Sequence, residues 1–383
     1  MLVTDFDFAL PEDLIAQTAA PRGQSRLLAL DRGTGSFEHR TIADLPAFFR
    51  PGDVLVINDT RVFAARLLGH RVPSGGAVEC LLLSPQPRPE PLRTEPDVER
   101  AIDPAVSSVL SRANELVQSV DECPVVWDAL MHPGQKLKPG SLVRFEGAAG
   151  VLMGEVLERR FQGRRTIRLW PESGASVTEL VDAIGHVPLP PYIRREDTAA
   201  DSERYQTVYA RVRGSVAAPT AGLHFTESLL AELVARGVEC VSITLHVGYG
   251  TFKPVKVYRV EDHVVDPETY EIAESTAEAI GRARADGRRV IAVGTTTTRA
   301  LEDAARRGNG VVRPGPAAAE IFIYPGFEFQ VVNGMLTNFH LPKSSLLMLV
   351  SAFGGREQVL SAYAAAIAER YRFYSYGDAM VIT

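Results

Sequence analysis

The chain has 383 residues, 45% hydrophobic and 23% charged, enough apolar material to bury a full core spread over two domains. No apolar run approaches the roughly 18 residues of a membrane-spanning helix, and the N-terminus lacks the basic-then-apolar pattern of a secretory signal, so a cytoplasmic location is expected. A formal net charge of -6 argues against nonspecific coating of nucleic acid, which requires many phosphate neutralisations.

In chain order, the β-branched and aliphatic run at 53–57 reads as a buried strand stopped by the turn Asn58-Asp59-Thr60. Short β-like segments follow at 65–71, 77–83, 125–131, 142–145, 151–160 and 166–170, punctuated by glycine and proline, and predict a small β-barrel. An interruption at 84–124 opens with Pro85, Pro87, Pro89, Pro91 and Pro96 and turns helix-like at 98–120. It is read as an exposed insertion, with a proline-rich peptide ligand as the alternative. Arginines cluster at Arg159, Arg160, Arg164, Arg165 and Arg168, and again at Arg194 and Arg195; a local RNA footprint and a solvated hairpin surface both fit.

After Trp170 helices alternate with strands, the signature of an α/β layer. Thr226 caps a helix to about Ala235 that stops at Gly237, and 238–247 reads as a strand. A helix at 273–285 closes at Gly287, and a strand at 289–293 runs into Gly294, four threonines, Arg299 and a third helix. Helices at 343–353 and 357–370 and a strand at 379–382 complete the chain. The resulting fold class is α/β: a discontinuous large domain, 1–62 plus 171–383, with a β-barrel domain inserted at 63–170.

Cys80, Cys123 and Cys240 are far apart and form no CxxC pair, and the eight histidines form no HxxxH pair. Free thiols and no metal are expected.

Five stretches concentrate small, polar and aromatic residues at strand ends and helix starts, where α/β folds hold ligands. They are 217–225, 245–252, 294–302, 338–345 and 374–380. The threonine run offers hydroxyls and free N–H groups, either as an anion cradle reinforced by Arg299 or as simple N-capping. His224, His246 and His340 fall in three of these stretches and are candidates for proton transfer or for hydrogen bonds to a base or ribose, against the plainer reading of structural histidines. Asp378 is either a turn former or a carboxylate base.

At these stretches, and at 25–28, 52–61, 188–193 and 205–209, the chain closely resembles the S-adenosylmethionine:tRNA ribosyltransferase-isomerase family over nearly its whole length. The resemblance implies a large α/β domain of irregular, barrel-like topology carrying a small closed β-barrel, and a monomer. It also implies that the ribosyl part of S-adenosylmethionine moves onto 7-aminomethyl-7-deazaguanine in tRNA, giving epoxyqueuosine with release of adenine and methionine. S-adenosylmethionine is then a co-substrate, and no permanently bound cofactor is expected. Two departures stand out: the 84–124 segment is longer than the family's connection, and Asp266 stands where a second histidine commonly follows His263.

That chemistry needs a base at the sulfonium carbon, a donor for departing adenine and anchors for the methionine carboxylate. The catalytic candidates are His224, His246 and Asp378; Thr295, Thr296 and Arg299 are assigned to carboxylate or phosphate, and His340 with Lys343 to the acceptor. Asn58, Thr60, Arg61, Pro219, Thr220, Ala221, Gly222, Gly248, Gly250, Thr251, Asn338, Ser344 and Tyr376 complete the expected substrate-binding set. Two competing functions are a purine phosphoribosyltransferase-like or nucleoside-cleaving enzyme, which would release adenine in a phosphate-dependent way, and a noncatalytic RNA-binding module, which would bind without turnover.

Overall fold

A computed structural model describes residues 1–86, 125–160, 163–172, 174–252 and 255–383. The helical stretch expected at 98–120, and Cys123, lie outside the described residues. The chain divides into two compact units, Met1–Val62 with Leu189–Thr383, and Phe63–Pro188.

The large unit contains strands β1 (Arg26–Leu30), β2 (Phe37–Thr41), β3 (Val54–Asn58) and β4 (Thr60–Val62). The inserted unit contributes β5 (Arg66–Val72), β6 (Ala77–Pro85), β7 (Val125–His132), β8 (Leu142–Gly147), β9 (Gly150–Arg159) and β10 (Arg164–Pro171). The chain then returns to the large unit with β11 (Val212–Ser215), β12 (Glu239–Leu245), β13 (Glu268–Ile272), β14 (Val290–Val293), β15 (Gly315–Ala319), β16 (Gly334–Asn338) and β17 (Ala379–Ile382).

The inserted unit is a closed six-stranded antiparallel barrel in the order β10-β7-β6-β5-β8-β9. Alternating side chains fill it: Val143 and Phe145 on β8, and Leu152 and Val156 on β9, are fully buried. Its C-terminal limit lies beyond the expected Trp170, because the helix Val177–Ile184 buries Val177, Leu180 and Val181 and packs on β8, β9 and β10. The amphipathic spacing of those three residues assigns the helix to the barrel rather than to the α/β layer. The barrel arginines are largely committed: Arg160 pairs with Glu158 and Asp128, Arg168 with Glu155. Arg165 is buried and donates to the carbonyls of Leu137, Arg164 and Gly134.

The large unit is built on a nine-stranded mixed sheet, β15-β13-β12-β3-β14-β16-β17-β1-β2, which ends in two edges, β15 and β2. Its central strands are buried on both faces, as parallel strands covered by helices must be. On β3, Val54 and Val56 enter one apolar cluster while Leu55 and Ile57 enter the other; β1 divides likewise into Leu28 with Leu30 and Leu27 with Ala29. A two-stranded parallel ribbon, β4 with β11, lies beside this sheet.

The predicted cap at Thr226 and stop at Gly237 hold their helix. The Thr226 hydroxyl accepts from the N–H of Leu229 at 3.1 Å, starting the helix Glu227–Ala235, and Gly237 takes the left-handed conformation after it, φ +85°. Ser344 caps Ser345–Gly354 in the same way.

Candidate active site

Strands β14 and β16 are parallel neighbours, and the segments leaving their carboxyl ends surround a cavity of about 220 Å³. Such a position is where open α/β sheets hold ligands. One side is Gly294, Thr295 and Thr296; another is Ala218, Pro219, Thr220 and Ala221; a third is Thr337 and Asn338 with the segment from His340 to Ser344. Tyr192, Tyr374 and Ser375, with the apolar Val247, Val255 and Leu346, complete the lining.

The helix Thr295–Arg307 begins at Gly294, whose φ of +95° gives the chain the sharp turn off β14. Its backbone ladder starts with the N–H of Thr298 bonded to the Gly294 carbonyl at 3.1 Å. The N–H groups of Thr295 and Thr296 therefore precede the ladder, at the positive end of a helix whose first two residues line the cavity.

Asn338 ties three segments together. Its Nδ2 donates to the Tyr374 carbonyl at 3.2 Å and lies 3.0 Å from His224 Nε2, while its Oδ1 accepts from the Thr220 hydroxyl at 3.0 Å. A carbonyl only accepts, so the contact with Tyr374 fixes the amide orientation; an amide NH2 only donates, so His224 Nε2 is an acceptor. The imidazole proton then resides on Nδ1, 2.8 Å from the Ser25 hydroxyl. Complete burial pushes the His224 pKa down to about 4 against an opposing pull from Asp378. His224 is thus a neutral imidazole holding Asn338, one layer behind the cavity lining.

His340 lines the cavity and lies with Nε2 2.8 Å from the Thr337 hydroxyl. Burial lowers its pKa to about 3. Lys343 also lines the cavity, with its ammonium 3.0 Å from Asp7 on the surface. His246 is half-buried, with Nδ1 3.0 Å from the Thr60 hydroxyl and a pKa lowered by burial against the pull of Asp59. Its ring packs so tightly on Gly214 that a Cβ there would fall 2.5 Å from Cε1. His246 is not among the lining residues, but its neighbour Val247 is.

Two of the expected site residues are engaged by other partners. Asp378 is not in the cavity lining: it is buried, accepting from the N–H of Arg26 at 3.0 Å, the N–H of Arg372 at 2.8 Å and the Arg26 guanidinium. A carboxylate so saturated is a structural anion rather than a free base. Arg299, 11% exposed, pairs with Glu268 at 3.1 Å and donates to the carbonyls of Ile321, Asp266 and Ala319. Its guanidinium is consumed in pinning the segment around β15 and β13, which leaves it no fork for an incoming anion. Arg299→Gln is therefore expected to destabilise the protein by about 3–5 kcal/mol, the range for breaking a buried ion pair. Chemical denaturation reads the loss.

Of the expected binding set, Pro219, Thr220, Ala221, Thr295, Thr296, Asn338, His340, Lys343 and Ser344 come together in the cavity lining. The others lie elsewhere in the large unit. Asn58 clamps β3 to β12 through both backbone groups of Leu245. Thr60 holds His246, and Arg61 is exposed on β4. Gly222 lets Tyr209 approach, since a Cβ there would lie 2.2 Å from its hydroxyl; Gly250 does the same for Asp266. The N–H of Gly248 bonds Glu268, and Tyr376 donates to Asp201 at 2.8 Å. Thr251 lies in the short turn Tyr249–Phe252. Residue-by-residue reading missed Tyr192, Thr337, Tyr374 and Ser375, although 188–193 and 374–380 were singled out as stretches.

A family model described as queuosine biosynthesis protein matches residues 3–382. The S-adenosylmethionine:tRNA ribosyltransferase-isomerase of Desulfitobacterium hafniense is 46% identical over 383 residues, with 100% of both chains covered. That of Heliobacterium modesticaldum is 45% identical over the same span. Among solved structures, the S-adenosylmethionine tRNA ribosyltransferase of Thermotoga maritima is 31% identical, covers 99% of this chain and 100% of its own, and gives a TM-score of 0.50. With a match from end to end at this identity, the chain is an enzyme that belongs to the queuosine biosynthesis protein family.

Proposed function

We propose that this enzyme transfers and isomerises the ribosyl moiety of S-adenosylmethionine onto the aminomethyl nitrogen of 7-aminomethyl-7-deazaguanine in tRNA. The products are epoxyqueuosine in tRNA, adenine and methionine. The observation that carries the reading is the cavity itself, which joins a helix N-terminus, paired threonines, an Asn338-centred network and an aromatic side within one small chamber. A zwitterionic nucleoside needs these surfaces: donors for a carboxylate, polar groups for ribose and an aromatic face for a base.

The reaction begins with loss of a proton from the ribose carbon attached to sulfur, which the positive sulfonium acidifies. The resulting electron pair opens the ribose ring and expels adenine. The tRNA amine then adds, and an oxyanion closes the epoxide as methionine leaves with the C–S bonding pair. Thr295 and Thr296 hold the methionine carboxylate, and Thr220 with Asn338 orients ribose. Among the three proton candidates, His246 has a ring nitrogen, Nε2, with no hydrogen-bond partner among the described residues. Its lowered pKa keeps it neutral at pH 7 and thus able to accept a proton.

The test incubates the enzyme with S-adenosylmethionine and tRNA bearing the aminomethyl deazaguanine, then follows adenine by chromatography and the nucleoside by mass. Adenine release that depends on tRNA, with the mass of epoxyqueuosine, is the expected result. Appearance of S-adenosylhomocysteine and a methylated nucleoside would instead make the protein a methyltransferase.

A further inference from the structure

Tyr374 has a backbone that an aromatic residue rarely adopts, φ +73°. The neighbours hold it there. Its N–H donates to the Phe339 carbonyl at 3.0 Å, and its own carbonyl accepts from Gly377 N–H at 2.8 Å and from Asn338 Nδ2 at 3.2 Å. The residue is 6% exposed and its hydroxyl has no hydrogen-bond partner among the described residues. A strained backbone and an unpartnered buried hydroxyl both disfavour the folded state, and glycine or asparagine would avoid both. What tyrosine supplies at this position, and those residues do not, is a ring.

That ring stands 4.1 Å from the Tyr192 ring at an interplanar angle of 36°, and both residues line the cavity. The Tyr192 hydroxyl is hydrogen-bonded to Ser375, so the second ring is anchored as well. Two anchored rings, tilted by 36° to one another, present an aromatic surface that needs no further ordering when a planar ligand arrives. The same chamber is lined by Thr295 and Thr296 at the start of their helix, so a nucleoside whose carboxylate lies at the helix has its base left for the rings.

We propose that Tyr374, backed by Tyr192, is the stacking platform for the adenine of S-adenosylmethionine and sets the enzyme's preference for a purine base. This assignment rests on the reaction proposed above. The phenol hydroxyl plays no part in it; the strained backbone serves to place the ring.

Three variants and one wild-type experiment test the idea, using the full-length enzyme and labelled S-adenosylmethionine in equilibrium dialysis. Tyr374→Phe keeps the ring and removes an unpartnered hydroxyl, so binding should stay within about threefold of wild type. Tyr374→Asn suits a positive φ but removes the ring, and should weaken binding about 10- to 100-fold, the effect of losing one base–aromatic stack. Tyr192→Leu removes the backing ring and should weaken binding by a smaller factor. The KM for tRNA should hold within about twofold in all three.

Independently of how the variants fold, irradiation of wild-type enzyme with an 8-azidoadenine analogue of S-adenosylmethionine should label the peptide carrying Tyr374 or Tyr192. A folded Tyr374→Asn enzyme that binds S-adenosylmethionine normally overturns the assignment, as does labelling confined to other peptides. A variant that raises only the KM for tRNA overturns it too, giving the rings to the tRNA base. Wild-type enzyme that fails to bind S-adenosylmethionine at all removes the proposed reaction along with the platform, and so separates the two failures.

Discussion

Asn338→Leu is expected to lose about 3 kcal/mol or more of stability and about a hundredfold in kcat/KM for adenine release. The substitution keeps the volume and removes every polar atom. Two buried or half-buried groups are then left without a partner, the Thr220 hydroxyl and His224 Nε2, while the Tyr374 carbonyl keeps only the N–H of Gly377. Each buried group stranded in this way costs about 1–3 kcal/mol. The activity loss has a separate cause, because Asn338 fixes the segments carrying Thr220 and Tyr374, and displacing a reacting group by an ångström costs about 10²-fold. Urea unfolding and steady-state kinetics measure the two effects. A double variant, His224→Leu with Asn338→Leu, should be less damaging than the sum of the singles, since the second change removes a partner already orphaned. Strict additivity would mean that His224 and Asn338 do not act as a unit.

Acid should weaken the protein through its buried histidines before the carboxylates titrate. In the folded state burial depresses His224 to about 4 and His340 to about 3, against an ordinary value of 6.5. The unfolded chain therefore binds the extra protons first, and stability falls as pH drops below 6.5 until each folded pKa is reached. For His224 this window runs from 6.5 to about 4, and for His340 from 6.5 to about 3. Within it each histidine contributes a slope of about 1.4 kcal/mol per pH unit. His340→Leu should remove its share and leave a flatter curve between pH 6 and 4, read from urea midpoints at constant salt. Parallel curves for wild type and variant would show that His340 titrates normally.

Local signals made part of this fold readable. The run on β3 is continuous because both faces are covered, and Thr226 and Gly237 mark a helix because a cap and a left-handed turn need those residue types. Glycine and proline punctuation was enough to delimit the barrel strands. Strands β1, β2 and β16 went unread, because short strands recruited into a mixed sheet are defined by partners far away in sequence. The site divides in the same way. Thr220, Thr295 and Asn338, which the structure brings to one cavity, stood out because small polar residues cluster where strands end. The fate of Asp378 was hidden, since its captor Arg26 is 352 residues away. No pattern in the sequence announces a tyrosine with positive φ, so Tyr374 emerged only from the backbone.

Strand β17 carries a consequence for how the protein is made. Among the described residues it is the strand that joins the β1–β2 hairpin to the rest of the nine-stranded sheet, pairing Leu27–Leu30 on one side and β16 on the other. During synthesis the hairpin leaves the ribosome well before its partner, which follows about 350 residues later. Throughout elongation Leu27, Leu28, Ala29 and Leu30 form an open apolar rim, a template for mispairing with neighbouring nascent chains. Holdase chaperones should consequently crosslink to this hairpin in stalled ribosome complexes and release it once residues 379–382 emerge.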